Sequence, residues 1–196
     1  MHSCEVLPLN YRLKKDADFS GFSKENWIGL LVTALFLAAT VLLALPTHPF
    51  TLLNSASDTV MSLVYCIALF ALLMISVRLQ EKLHGIFIYK LCGCPVEYNN
   101  SMGIYLTASS GRYYVSKMGW IVCSLLPTLL WCGMLLIFSF VIGDNWFWAP
   151  YLLFLVSLSG VGGKLVGTFL LLSVPSSTYV QDNGASMKIY VPTEEA

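Results

Sequence analysis

The stretch QEKLH, residues 80–84, directly follows a long apolar run and carries side chains that could take part in metal chemistry. On a helix, residues four apart project from one face, so Gln80 and His84 would point the same way, with Glu81 beside them. Two histidines at this spacing can bind one zinc ion, and a glutamate after the first can act as general base toward metal-bound water. Here glutamine stands at the first position. Because zinc ligands in proteins are Cys, His, Asp and Glu, this stretch taken alone is more typical of a polar helix end than of a zinc site.

The composition of the chain predicts that this helix lies in a membrane. Of the 196 residues, 57% are hydrophobic and only 11% are charged, whereas an ordinary globular protein has roughly a quarter of its residues charged. A chain with so few charges is typical of a protein that crosses the lipid bilayer several times. The formal net charge is zero, so nothing indicates a nucleic-acid partner.

Apolar runs in the sequence predict four membrane spans, since a span needs about 20 mostly apolar residues. We predict these spans at residues 27–45, 59–77, 118–142 and 149–174. The pattern of the second span stays helical to about residue 91, which places the QEKLH stretch near the membrane boundary. The whole chain, residues 1–196, is therefore expected to form a single membrane domain.

The distribution of Lys and Arg predicts the orientation of these spans. Outside the spans, these residues occur only in the N-terminal tail (1–26), the loop between the second and third spans, and the C-terminal tail (175–196). Lys and Arg in short loops favour the cytoplasmic side of a membrane. We therefore expect a multi-pass protein of the cell membrane with both termini in the cytoplasm.

The loop between the second and third spans predicts a short β-hairpin. Ile104 and Tyr105 precede a Ser-Ser-Gly turn at 109–111, and Tyr113 follows it. These three apolar and aromatic residues are candidates for contact with an extended peptide that pairs with the hairpin. The expected fold class is thus an all-α integral membrane protein with four transmembrane helices and one hairpin in its cytoplasmic loop.

Lys164 is the one charged residue within the predicted spans, in the stretch SGVGGKLVGTFLLLS. A lysine at membrane depth costs about 3 kcal/mol unless it reaches water or finds a partner. Four glycines surround it, and small residues permit close approach of membrane helices; these are Gly160, Gly162, Gly163 and Gly167. We expect this glycine cluster to permit close helix packing in the membrane; packing against the second span is what a partner for Lys164 on that helix would require.

Five blocks of sequence, spread over most of the chain, carry a resemblance to a known protein family. They are LPLNYRLKKDADFS, QEKLHGIFIYKLCG, YLTASSGRYYVSK, the proline of CSLLPTLL, and LSGVGGKLVGTFLLLSVPSSTYVQDNGASMKIYVP. In order and spacing they are similar to a bacterial family of zincin peptidases, whose members are small four-pass membrane proteins. The resemblance implies a site like that of site-2-type intramembrane proteases, with H-E-x-x-H on one helix and an acidic metal ligand from a late helix.

This chain departs from the family pattern at the metal ligands themselves. The resemblance aligns the first motif histidine with Gln80, the motif glutamate with Glu81 and the second histidine with His84. The acidic residue of the last span aligns with Lys164. Two of three implied ligands are therefore missing, and a cation stands in place of one of them.

The hypothesis that best accounts for both changes is that charge replaces the metal. The Lys164 ammonium would lie within about 4 Å of the Glu81 carboxylate, the usual limit of an ion pair, with Gln80 and His84 hydrogen-bonding around it. No zinc or other cofactor is then expected. The protein would be a non-catalytic pseudoprotease that binds or regulates a peptide or membrane-protein partner.

Other interpretations remain open on the sequence. An active metalloprotease with an atypical Q-E-x-x-H site would hold zinc through these residues and a further group such as Asp182 or a loop cysteine, which requires the C-terminal segment to fold back. A small transporter component could use Lys164 as an anion or proton site, although no repeat or pair of broken helices accompanies it. Lys164 could also extend to the membrane edge without a specific partner.

Overall fold

The computed structural model describes residues 3–19, 23–46, 59–101, 105–143, 146–184 and 186–193. Its helices are α1 (Lys24–Ala44), α2 (Thr59–Phe87), α3 (Lys117–Val141), α4 (Trp148–Ser159) and α5 (Val161–Leu172), and a π-helical turn, Ile88–Cys92, continues α2. Its strands are β1 (Ser3–Cys4), β2 (Tyr11–Asp18), β3 (Glu97–Ser101), β4 (Tyr105–Ser109), β5 (Tyr114–Ser116), β6 (Tyr179–Asp182) and β7 (Ser186–Pro192).

Four helical segments of the described chain are long and apolar enough to cross a membrane. They are Lys24–Ala44, Leu63–Cys92, Lys117–Val141 and Trp148–Leu172. The last of these consists of α4 and α5, which meet at Gly160. The number of spans agrees with the sequence prediction because hydropathy summed over 20 residues is a strong signal.

The predicted all-α fold class is wrong, because a five-stranded antiparallel sheet accompanies the helices in the order β1-β5-β6-β7-β2. The segments predicted as tails supply most of it: β2 from the N-terminal segment pairs with β7 from the C-terminal segment. In β7, Met187, Ile189 and Val191 are buried while the residues between them are half-buried. This alternation is the period-2 pattern of a strand with one face in a core. Strand β7 was not predicted because it is short and lies in a polar segment of the sequence.

The predicted hairpin is also wrong in its pairing. Strand β4 pairs with β3, which precedes it, in a separate two-stranded sheet. Strand β5 pairs instead with β1 and β6, so the Ser-Ser-Gly segment connects two sheets. Of the candidate peptide-binding residues, Ile104 lies outside the described residues and Tyr105 begins β4. Tyr113 donates a hydrogen bond to Glu5 Oε1 at 2.9 Å, which ties it to the N-terminal segment.

The glycine cluster of the fourth span packs against α1 and α3, whereas the pairing of Lys164 with Glu81 was thought to require close packing against α2. A Cβ atom added at Gly162 would overlap the carbonyl oxygen of Gly29 and the hydroxyl of Thr33, both on α1. One added at Gly167 would lie 2.6 Å from a ring carbon of Trp120 on α3. The orientation of α5 around Lys164 is therefore fixed from two sides by backbone contacts that only glycine permits.

We predict that Gly162→Ala lowers the free energy of unfolding by about 1–3 kcal/mol, the usual cost of adding a methyl group to a filled contact. Gly163→Ala is the matched control, because a Cβ there would meet its nearest atom, Phe19 Cδ1, at 3.8 Å. Both variants gain the same helix propensity. Unfolding of the purified protein in detergent measures both, and equal stability of the two variants would contradict this account of the α1–α5 contact.

Candidate functional site

The candidate site is centred on Glu81, which is 9% exposed and lies near the end of α2. Its Oε1 atom lies 4.0 Å from Lys164 Nζ on α5. Its Oε2 atom accepts a hydrogen bond from the backbone N–H of Ala108 on β4, at 3.1 Å, and lies 3.5 Å from His84 Nδ1. The Glu81 carboxylate thus has partners on α5 and β4, and His84 of its own helix lies beside it. Its separation from Lys164 is the one that the charge-replacement hypothesis requires.

The Lys164 side chain is 18% exposed, and α3 supplies a further partner for it. Its ammonium donates a hydrogen bond to Thr128 Oγ1 at 3.0 Å, and that hydroxyl donates to the backbone oxygen of Ser124 at 3.1 Å. Sequence reasoning missed Thr128. The available signal is that Ser124 and Thr128 are polar residues four apart, hence on one face, in an otherwise apolar span. Lys164 therefore lies between a carboxylate and a hydroxyl, both within the protein.

Gln80 is 6% exposed and lines the same cavity as Glu81, His84 and Lys164. Its side chain forms no hydrogen bond to any of these three within the part of the chain that the structure describes. The groups that hydrogen-bond to the ion pair are the Ala108 N–H and the Thr128 hydroxyl, whereas Gln80 and His84 were predicted to do so. The predicted residues are brought together, but within the described residues neither Gln80 nor His84 forms the predicted hydrogen bond to the ion pair.

The cavity beside the ion pair has a volume of about 590 Å³ and lies between α1, α2, the α4–α5 junction, β4 and the β6–β7 turn. Two buried polar atoms in its lining, His84 Nδ1 and Ser157 Oγ, have no hydrogen-bond partner among the described residues. The 3.5 Å separation of His84 Nδ1 and Glu81 Oε2 is longer than an ordinary hydrogen bond. An unsatisfied buried polar atom costs about 1–3 kcal/mol. His84 and Ser157 therefore each carry one unsatisfied polar atom beside the cavity.

Asp182 lies in the wall of this cavity, so the C-terminal segment does fold back as the metalloprotease hypothesis requires. Both of its carboxylate oxygens, however, are engaged in structural hydrogen bonds. Oδ2 accepts from Trp120 Nε1 at 2.8 Å, and Oδ1 accepts from the backbone N–H of Gly184 at 2.7 Å. Asp182 therefore fixes the β6–β7 turn over the cavity and joins that turn to α3.

The residues present do not fit the zinc ion that the family resemblance implies. Within the described residues, no group of three or more His, Cys, Asp and Glu side chains is arranged to hold a metal ion. The Lys164 ammonium lies 4.0 Å from the carboxylate that a zinc ion would need nearby, and two cations at such short range repel strongly in a low-dielectric site. The neutral Gln80 amide is not a usual zinc ligand.

Comparison with known proteins found no matching family model, no matching curated protein and no matching solved structure. The protein can nevertheless be described by its fold and its site. It combines four helices that could cross a membrane with an antiparallel sheet, and it holds an ion pair where these elements meet.

Proposed function

We propose that this protein is a membrane-embedded, zincin-like pseudoprotease, which binds or regulates a peptide or membrane-protein partner without catalysing hydrolysis. The observation that carries the proposal is the 4.0 Å separation of Lys164 Nζ and Glu81 Oε1. In the resemblance to the zincin family, Lys164 takes the sequence position of a metal ligand. It supplies positive charge to Glu81 within the protein itself.

The charge replacement accounts for the loss of catalysis in this proposal. A zinc protease depends on a metal ion that lowers the pKa of bound water from 15.7 to about 7. An ammonium group has no empty coordination position for water, and Lys164 already bonds to Thr128. Glu81 in turn is engaged by Lys164 and by the Ala108 N–H, so it is poorly placed to take a proton from water.

The cavity supports the binding part of the proposal. Polar side chains in its lining, among them Gln80, Glu81 and Lys164, favour an occupant with its own hydrogen-bonding groups, and the backbone of a polypeptide offers such groups at regular intervals. Thr107 and Ala108 of β4 line the cavity. We therefore propose that a partner segment bound in the cavity contacts β4 at these two residues rather than at Tyr113, which bonds to Glu5.

The sheet supports the orientation derived from the charges. Strands β1 and β2 come from the N-terminal segment, β5 from the segment between the second and third spans, and β6 and β7 from the C-terminal segment. Strands in one sheet must lie on the same side of a bilayer. We propose that this side is the cytoplasmic one, because the Lys and Arg residues outside the spans occur in the same three segments.

We predict that alkaline phosphatase fused after residue 196 is inactive in bacterial cells, while a fluorescent protein fused there is bright. Phosphatase folds only outside the cytoplasm, where its disulfides form. The control is the same pair of reporters fused in the loop between the first and second spans, where the result should reverse. An active phosphatase at the C-terminus would contradict the proposed orientation.

The functional proposal predicts the zinc content of the purified protein and of a variant that restores the family pattern. The wild-type chain should carry far less than one zinc per molecule after exposure to zinc and desalting. The variant Gln80→His with Lys164→Asp should approach one zinc per molecule, because it restores the implied ligand set around His84. Adding His84→Ala to this variant should abolish the binding.

Two outcomes would overturn different parts of this proposal. Stoichiometric zinc in the wild-type protein, lost on His84→Ala, would favour an active metalloprotease. Failure of the restored variant to bind zinc while it remains folded would show that the scaffold is not zincin-like. Elemental analysis reports the zinc content, and circular dichroism reports whether each variant keeps its helices.

A further inference from the structure

Two buried cysteines face each other next to the candidate site. The Sγ atoms of Cys92 and Cys123 are 3.3 Å apart, and the two residues are 5% and 3% exposed. Cys92 ends the π-helical turn that follows α2, and Cys123 lies in the second turn of α3. The pair therefore lies at the contact between the helix that carries Glu81 and His84 and the helix that carries Thr128.

A small cavity lies beside this pair of cysteines. It has a volume of about 10 Å³, and its lining includes Cys92, Cys123 and His84. A space of this size holds about one water-sized molecule. Ser124 and Asp182 line both this space and the large cavity of the candidate site. The two cavities therefore share part of their walls.

We propose that Cys92 and Cys123 form a dithiol that hydrogen peroxide oxidises reversibly to a disulfide. One thiol sulfur attacks the peroxide; an S–O bond forms, the O–O bond breaks, and a sulfenic acid and one water result. The second thiol sulfur then attacks the sulfenic sulfur; the S–S bond forms, the S–O bond breaks, and a second water leaves. Two thiols lose two electrons in total and the peroxide gains them. A small-molecule thiol reverses the change by exchange.

Two neighbouring cysteines, Cys94 and Cys132, differ from this pair in their surroundings and are not expected to form the disulfide. Cys94 lies two residues after Cys92 and is likewise buried, but no second sulfur atom lies within contact distance of it among the described residues. Cys132 lies further along α3, is also buried, and does not line the small cavity. Cys94 and Cys132 are thus natural controls.

The disulfide would have a defined structural effect. It would link the end of the α2 segment to α3, one or two helical turns from His84. The link would therefore restrict movement of the wall of the candidate site. Amide hydrogen exchange at residues 87–92 should become slower after oxidation. This effect does not depend on whether the site binds a peptide, a zinc ion or nothing.

The test uses the full-length protein in detergent, first fully reduced and then freed of reductant. After peroxide treatment and alkylation, the wild-type protein should show two fewer alkylated thiols, and peptide mapping should place the disulfide at Cys92–Cys123. Cys94→Ser and Cys132→Ser should keep the disulfide. In Cys92→Ser and in Cys123→Ser it should be absent, and one of these two variants should yield a sulfenic acid that dimedone captures.

The proposal fails if all six cysteines of the peroxide-treated wild type remain alkylatable, or if mapping finds a different pair. It also fails if the loss of thiols is the same in Cys92→Ser as in the wild type. Because the mapping is done on the wild-type protein, poor folding of a serine variant does not prevent a decision. Reduction with excess thiol should restore all the alkylatable cysteines, and failure to do so would contradict reversibility.

Discussion

A buried lysine and a buried glutamate are each costly, and the cost falls only if they meet each other and their remaining hydrogen-bonding groups find partners. The ion pair of Glu81 and Lys164 imposes this requirement on most of the fold. Helix α5 must bring Lys164 toward α2, helix α3 must supply the Thr128 hydroxyl, and β4 must present the Ala108 N–H. The glycine contact of α5 with α1 and the Trp120–Asp182 bond both help to hold these elements in place.

The same requirement explains why part of the site could be predicted from sequence. A charge in an apolar span has few ways to be stabilised, so Lys164 strongly indicates a partner, and Glu81 is the acidic residue at the end of another span. The packing that joins them was less predictable. Small residues show that a helix can approach a neighbour closely, but not which neighbour; the glycines of α5 contact α1 and α3 rather than α2.

The sheet was missed for a different physical reason. A membrane span is recognised over about 20 residues, whereas strands such as β5 and β6 have only three or four residues in polar surroundings. Their stability comes from pairing between segments far apart in sequence, as with β2 and β7. Local patterns therefore indicated tails and a hairpin, although the alternation of Met187, Ile189 and Val191 was present in the sequence.

The alternative functions differ in how well the site supports them. A metalloprotease would need Asp182 or a comparable group as a free ligand, but Asp182 is committed to Trp120 and Gly184. A transporter gains some support from the α4–α5 junction at Gly160, a break in the span that carries Lys164. Known transporter sites use a pair of such breaks, and the described residues contain one.

The most direct test of the central claim is a double-mutant cycle on the ion pair, with Glu81→Gln, Lys164→Met and the two combined. Each single change leaves an uncompensated charge in a mostly buried site, so it should lower the free energy of unfolding. The account predicts that the double variant is more stable than the sum of the two losses by about 1–3 kcal/mol, as expected for coupled neighbours. Losses that add to within about 0.3 kcal/mol would show that the two charges do not stabilise each other, and would contradict the account.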